Sequence, residues 1–209
     1  MTTGYSDRIN HALAYAAKHH DQQVRRGTRS PYLTRHANVA VILTRYGGDD
    51  DTVVAGILHD VVGDSVRGGV SRESLAARVG EKFGEGALDI AFAVSERRAD
   101  DDGIELSVDE RREDLLERLA RAPDRARWVV AADTLHEAGT LLADLRRTEF
   151  PESVWERSSR DQGLDWLRRV HERLGEVGFS APIMTELGQL VADLERHWRA
   201  VTHGRPAGR

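Results

Sequence analysis

The chain has 209 residues, 40% of them hydrophobic, which suits one domain or one domain with an appendage. A net charge of −5 gives no general pull toward DNA, RNA or an anionic membrane. Cysteine is absent, which excludes disulfides, thiolate catalysis and cysteine-held zinc. Among the 30 basic residues only Lys18 and Lys82 are lysines. Such an arginine bias reads first as coding composition, so the position of an arginine, not the count, informs on a ligand. No apolar run approaches the roughly 18 residues of a membrane span. Met1 to Asp7 lacks the basic-then-apolar pattern of a secretory signal, and the expected location is the cytoplasm.

The periodicity is helical nearly throughout. Ser6 is placed to cap a helix running to about His20, with Ile9, Leu13 and Ala16 on one face and His19-His20 at its end as partners of the helix dipole rather than ligands. A loop rich in Arg, Gly and Ser follows, from Asp21 to about Tyr32. The next helix carries Val39, Ile42, Leu43 and Tyr46 and ends at Gly47-Gly48. Asp50 or Asp51 is expected to cap a third helix with Val54, Ile57, Leu58, Val61 and Val62 on its stripe. Gly68-Gly69 breaks the chain, and Ser71 precedes a short helix to Phe83. Ala87 to Val94 reads as a buried helix, Ala99 to Ser107 as an acidic loop, and Val108 to Leu119 as a charged amphipathic helix. Pro123 opens a helix through Asp133, at an N-terminal position that tolerates proline. Residues 152 to 177 form a long helix bearing Trp155, Trp166, Val170 and Leu174, and Pro182 opens a last one to about Trp198. The tail from His203 is expected to be disordered. No strand-like alternation and no strand before a glycine cluster occurs, so an all-α fold is expected, without a nucleotide-binding glycine loop.

The informative stretch is His59-Asp60, set in the apolar run Val53 to Val62. A carboxylate there is costly unless it is paired or binds a metal. A divalent cation relieves that cost, since imidazole nitrogen and carboxylate oxygen are both good ligands. Asp133 lies in a second apolar helix, Trp128 to His136, and supplies a distant carboxylate.

Residues 13 to about 147 resemble the HD-domain hydrolases of the RelA/SpoT type, including the small stand-alone alarmone hydrolases. The resemblance rests on an ordered set: Arg25-Arg26-Gly27, Pro31-Tyr32-Leu33, Val39-Ala40, Ile57-Leu58-His59-Asp60-Val61-Val62 and Asp133-Thr134-Leu135-His136. It implies an HD-domain helical bundle with additional C-terminal helices. It also implies one divalent metal, usually Mn2+, that activates a water against a phosphoryl group, typically releasing the 3′ pyrophosphate of a guanosine tetra- or pentaphosphate. By the same resemblance His59, Asp60 and Asp133 are metal ligands, Arg25 or Arg26 contacts the nucleotide base, and Tyr32 sits in the same loop.

Three positions depart from the family pattern. The first family His falls at Arg35, and a histidine follows one residue later at His36. One residue turns a helical side chain by about 100°. Either a bulge before the helix restores His36 as the fourth metal ligand, or Arg35 faces the site, where a fixed cation cannot bind a metal. The family Glu that positions or deprotonates the water is replaced by Gly63, which leaves Asp64 as the surviving acid/base on the ligand face. The family Asn that contacts the sugar is replaced by Glu137. Two readings follow: a metal-dependent phosphohydrolase of a small phosphorylated nucleotide, with Arg25, Arg26, Tyr32, Arg35 and Glu137 lining the substrate, or a degenerate HD domain that binds without hydrolysis. Residues 1–180 are taken as the HD-type domain and 181–209 as a C-terminal helix packed on it with a tail; the tryptophan-bearing C-terminal helices offer a surface for a homo-oligomer.

Overall fold

The computed structural model describes residues 5–25, 30–97, 99–100, 102–147 and 161–203. Arg26, Trp155 and the tail 204–209 lie outside the described residues. The described chain is helical, with no strand; Val24 with Pro31 and Ala99 with Glu105 form isolated bridges only. Among the described residues, no helix is long and apolar enough to cross a membrane.

The helices begin where side chains can satisfy the free N–H groups of a first turn. α1 is Asp7–His19, and the Ser6 hydroxyl accepts from the Ile9 N–H at 3.2 Å. α2 is Leu33–Arg45 and stops before Gly47, whose φ of +80° ends the helix at a conformation costly for other residues. α3 is Asp50–Arg67, and its cap is Asp49 rather than Asp50 or Asp51. Asp49 is extended and accepts from both the Thr52 N–H and the Thr52 hydroxyl. Asp50 and Asp51 fall in the first turn, where their charge complements the helix dipole, and Asp51 pairs with Arg8 at 2.8 Å.

α4 (Arg72–Leu75), a π turn (Ala76–Gly80) and α5 (Glu81–Phe83) form the short segment expected after Ser71. α6 is Glu85–Val94. α7 is Val108–Leu119, with a reciprocal capping box between Ser107 and Glu110. α8 runs from Asp124 to Arg147. The described part of the next helix, α9, is Asp161–Glu176. α10 is Ile183–His203, five residues longer than expected from the sequence, since residues past Trp198 continue the helix.

Residues 1–133 and 134–209 form two compact units, with the division inside α8. In the first, α3 packs against α1, α2 and α6. That centrality follows from sequence: Val53, Val54, Ala55, Ile57, Leu58, Val61 and Val62 are all at most 2% exposed, so α3 is apolar on nearly every side. Each large aliphatic buried there contributes about 1.5–3 kcal/mol. In the second unit α9 packs on α10 around Leu167, Val170, Leu174, Ile183, Leu187 and Leu194. A partition at 180/181 separates these two packed helices.

α2 and α3 meet at Gly56. A Cβ there would lie 2.5 Å from Leu43 Cδ1 and 3.1 Å from Val39 Cγ1, both on fully buried residues. This close approach brings His36 of α2 beside Asp60, one turn beyond Gly56. Gly56→Val is expected to lower stability by about 1–3 kcal/mol through overpacking, read as a lower urea midpoint; an unchanged midpoint would show that the crossing is slack.

Candidate active site

Asp60 is the junction of the site. Its Oδ1 lies 3.3 Å from His59 Nε2, and its Oδ2 lies 3.3 Å from His36 Nε2. The Tyr32 hydroxyl donates to Oδ2 at 3.1 Å, and Arg35 Nε lies 3.6 Å from it. Burial alone would raise the Asp60 pKa, but His59, Arg35 and His36 outweigh it and hold the carboxyl well below the usual carboxylate range. Burial, together with the Asp60 charge, pushes the Tyr32 phenol above its ordinary value, so Tyr32 stays protonated and donates.

Both residues between which the sequence left a choice face this carboxylate. His36 is fully buried beneath it. Arg35, one position earlier, uses its longer arm to reach Asp133 on α8. Its Nε donates to Oδ1 at 2.9 Å and its Nη2 to Oδ2 at 2.6 Å. This is a two-bonded guanidinium–carboxylate pair, 98 residues apart in sequence, with side chains 30% and 20% exposed.

The donor set meets one clear test for a divalent cation. His59 Nδ1 donates to the Gly56 carbonyl at 2.9 Å, which fixes the proton on that nitrogen and leaves the lone pair on Nε2. His59 Nε2 and both nitrogens of His36 are buried without a hydrogen-bond partner. Orphaned imidazole nitrogens are costly, and two of them flank Asp60. His36, His59 and Asp60 are therefore ligand types that a nitrogen- and oxygen-seeking cation takes, but among the described residues only His19, His20 and Asp64 each bring a ligating atom within 4.8 Å of the others, so the Asp60 set would have to draw together to hold one. Asp133 has both oxygens hydrogen-bonded to Arg35.

The other expected site residues are more scattered. Asp64 lies on α3 with Oδ2 3.6 Å from His19 Nε2. Gly63 is half-buried, and a Cβ there would make ordinary contact with Ser95, 3.7 Å away. Arg25 lies in the loop before α2, where its N–H bonds the Ser30 carbonyl at 2.8 Å. Glu137 is exposed on α8 and belongs to the second unit. Two participants escaped the sequence reading. His20, expected only to face the α1 dipole, is buried and stacks on His36 at 4.7 Å, with Tyr32 edge-on to both rings. The Ser95 hydroxyl shares its proton between the Ala91 carbonyl at 2.6 Å and the His59 carbonyl at 3.0 Å, and so brings the end of α6 into contact with the His-Asp turn. Neither has a local signature, because each reaches the site through a partner on another helix.

Residues 12–155 match the HD-domain family. The chain belongs to that family. Among solved structures, this HD domain is similar to a metazoan ortholog of SpoT that hydrolyzes ppGpp, with a TM-score of 0.67 and 26% identity over 91% of this chain and 97% of that one. In sequence it is 33% identical, over 65% of its length, to a probable chloroplastic GTP diphosphokinase of Arabidopsis thaliana, of which the match covers 16%. It is 31% identical to a guanosine-3′,5′-bis(diphosphate) 3′-pyrophosphohydrolase of Aquifex aeolicus over 39% of this chain and 10% of that protein. The chain thus spans a small fraction of these curated relatives. They and the structural neighbour are of the RelA/SpoT type that the motifs resemble, and the all-α HD architecture agrees with the helices described.

If Asp133 is a metal ligand, Arg35 competes with the cation for it. Arg35→Met keeps an unbranched apolar stem, though a shorter one, and removes the charge. It is expected to tighten Mn2+ binding by about 10–100-fold, the scale on which neighbouring groups tune metal sites, as read by calorimetric titration. Equal or weaker binding in the variant would mean that Asp133 is not a ligand withheld by Arg35.

Proposed function

We propose that this HD domain is a metal-dependent phosphohydrolase that releases pyrophosphate from a guanosine 3′,5′-bis(diphosphate)-like nucleotide. The observation that carries the reading is the pair of orphaned, buried imidazole nitrogens of His36 and His59 on either side of an ionised Asp60. The family membership and the ppGpp-hydrolysing structural neighbour support it. His36, His59 and Asp60 would hold the cation, with Asp133 as fourth ligand, and Mn2+ is the metal we assign. A divalent cation supplies phosphate charge neutralisation and lowers the pKa of a water.

The chain's own side chains do the rest. Tyr32 holds Asp60 through its hydroxyl, and the Gly56 carbonyl holds His59 in the ligating tautomer. Arg35, freed from Asp133, presents a two-pronged cation to a phosphate, and Arg25 and Arg26 anchor the nucleotide from the preceding loop. Asp64 accepts the proton of the attacking water. The P–O bond to the nucleoside oxygen breaks, the water oxygen joins the phosphorus, and the products are pyrophosphate and the nucleoside diphosphate. The site of action we assign is the cytoplasm, with a small nucleotide as partner and neither nucleic acid nor membrane.

One observation favours a second reading. The Arg35 clamp on Asp133 closes the carboxylate that would complete the metal site, as suits a domain that binds the nucleotide intact. A hydrolysis assay with guanosine tetraphosphate separates the two. Pyrophosphate release with added Mn2+, abolished by EDTA, is expected; intact nucleotide bound by metal-free protein would establish the second reading instead. Gly63→Glu restores the carboxylate found in the family, and the space beside Ser95 accepts its Cβ. Its expected effect is a rise in kcat of about 10²–10⁴-fold, the usual worth of a general base. A kcat unchanged by this substitution would show that Asp64 already suffices.

A further inference from the structure

Next to the Asp60 centre a different set of side chains converges. A ligating atom from each of His19, His20 and Asp64 lies within 4.8 Å of the other two. His19 is the last residue of α1 and His20 its cap; Asp64 sits on α3, one turn beyond Asp60. α1 and α3 pack directly on each other, with Ala12 and Ala16 of α1 fully buried, so core packing sets the spacing. His20 leaves helical geometry, with ψ at 21°, and its ring meets that of His19 edge-on at 4.8 Å.

The state of each nitrogen points to a ligand. His20 Nδ1 donates to the Gln23 side-chain oxygen at 2.9 Å. The proton is therefore on Nδ1 and the lone pair on Nε2. That Nε2 is buried, has no hydrogen-bond partner, and belongs to a residue only 2% exposed. A hydrogen bond that fixes the tautomer behind an unused lone pair is how metal-binding histidines are oriented. His19 Nε2 and Asp64 Oδ2 stand 3.6 Å apart, too far for a good hydrogen bond. Two ligands on one ion, with bonds of about 2.1 Å at a tetrahedral angle, stand roughly 3.4 Å apart. Those two side chains are 31% and 24% exposed, which leaves a path from solvent.

We propose that His19, His20 and Asp64 form a divalent-cation site distinct from the one at His36, His59 and Asp60. Two imidazoles and one carboxylate with an open position suit Zn2+, Co2+ or Mn2+ and not the oxygen-seeking Ca2+ or Mg2+. The site stands independently of the phosphohydrolase reading, but it changes one part of it. Asp64 becomes a ligand that orients a cation beside the Asp60 centre, in place of an acid/base.

The test is a Co2+ titration of the full chain, followed by calorimetry and by d–d absorption. Four proteins are compared: the parent, His19→Ala, Asp64→Asn and Asp60→Asn. His19 ends a helix and is partly exposed, so its variant is expected to fold, as circular dichroism verifies; Asp64→Asn is nearly isosteric and serves as the second probe. Expected are two Co2+ in the parent: one whose affinity falls by about 10–100-fold in His19→Ala and in Asp64→Asn and is kept in Asp60→Asn, and a second that Asp60→Asn alone loses. The proposal is overturned if the parent takes up no Co2+, if His19→Ala and Asp64→Asn titrate like the parent, or if one and the same ion is lost in all three variants. Should Asp60→Asn lose no cation while His19→Ala does, the inferred site stands and the ligand set assigned to the phosphohydrolase fails.

Discussion

A carboxylate inside an apolar helix bundle is the constraint on which the rest of this structure depends. Asp60 sits among seven apolar residues of α3 that are essentially removed from water, five before it and two after it. Placing an anion at that point costs several kcal/mol unless charge and hydrogen bonds offset it. Four side chains do so: His59 beside it, His36 and Arg35 from α2, and Tyr32 from the loop before α2. The helix crossing at Gly56 is what allows α2 to come close enough. Fold and site are thus one problem, since the packing that buries α3 also delivers the groups that make Asp60 tolerable.

Charge balance explains the placement of Arg35. Two carboxylates, Asp60 and Asp133, approach the same guanidinium, which balances their charge. Arg35 does this by gripping Asp133 with two hydrogen bonds while staying near Asp60. A divalent cation and this guanidinium answer the same need. Under the phosphohydrolase proposal they would contend for Asp133, and arginine at this position would offer the phosphate a two-pronged cation.

The imidazoles are arranged with equal economy. His20 stacks on His36, Tyr32 meets both edge-on, and the ring nitrogens not held by Gly56 or Gln23 are left without partners. Burial lowers the His20 pKa; the Gln23 bond opposes this, and the neighbouring His36 and His19 reinforce it, so the ring is neutral at pH 7. A neutral His20 with its proton on Nδ1 keeps the Nε2 lone pair free for a cation. Gly63, flanked by Ser95, leaves space on the same face of α3 where the family carries a carboxylate.

Local patterns settled much of this protein. The helical periodicity, the Ser6 cap, the glycine stop after α2 and the buried run of α3 are properties of neighbouring residues, and each is where the sequence places it. His59-Asp60 in a greasy helix marks the site for the same reason, since the cost of burying the pair can be read without knowing its surroundings. The tertiary structure alone decided how that cost is met. Whether Arg35 or His36 faces Asp60 could not be read from helical phase, because one side chain is short and lies beneath the carboxylate while the other is long and reaches over it to a residue 98 positions away. His19 and His20 looked like partners of the α1 dipole because Asp64, Gln23 and His36 meet them only after α1, α2 and α3 have packed. Periodicity reports which way a residue points; it carries no information on how far the side chain extends or which distant group it meets, and those two quantities set the chemistry here.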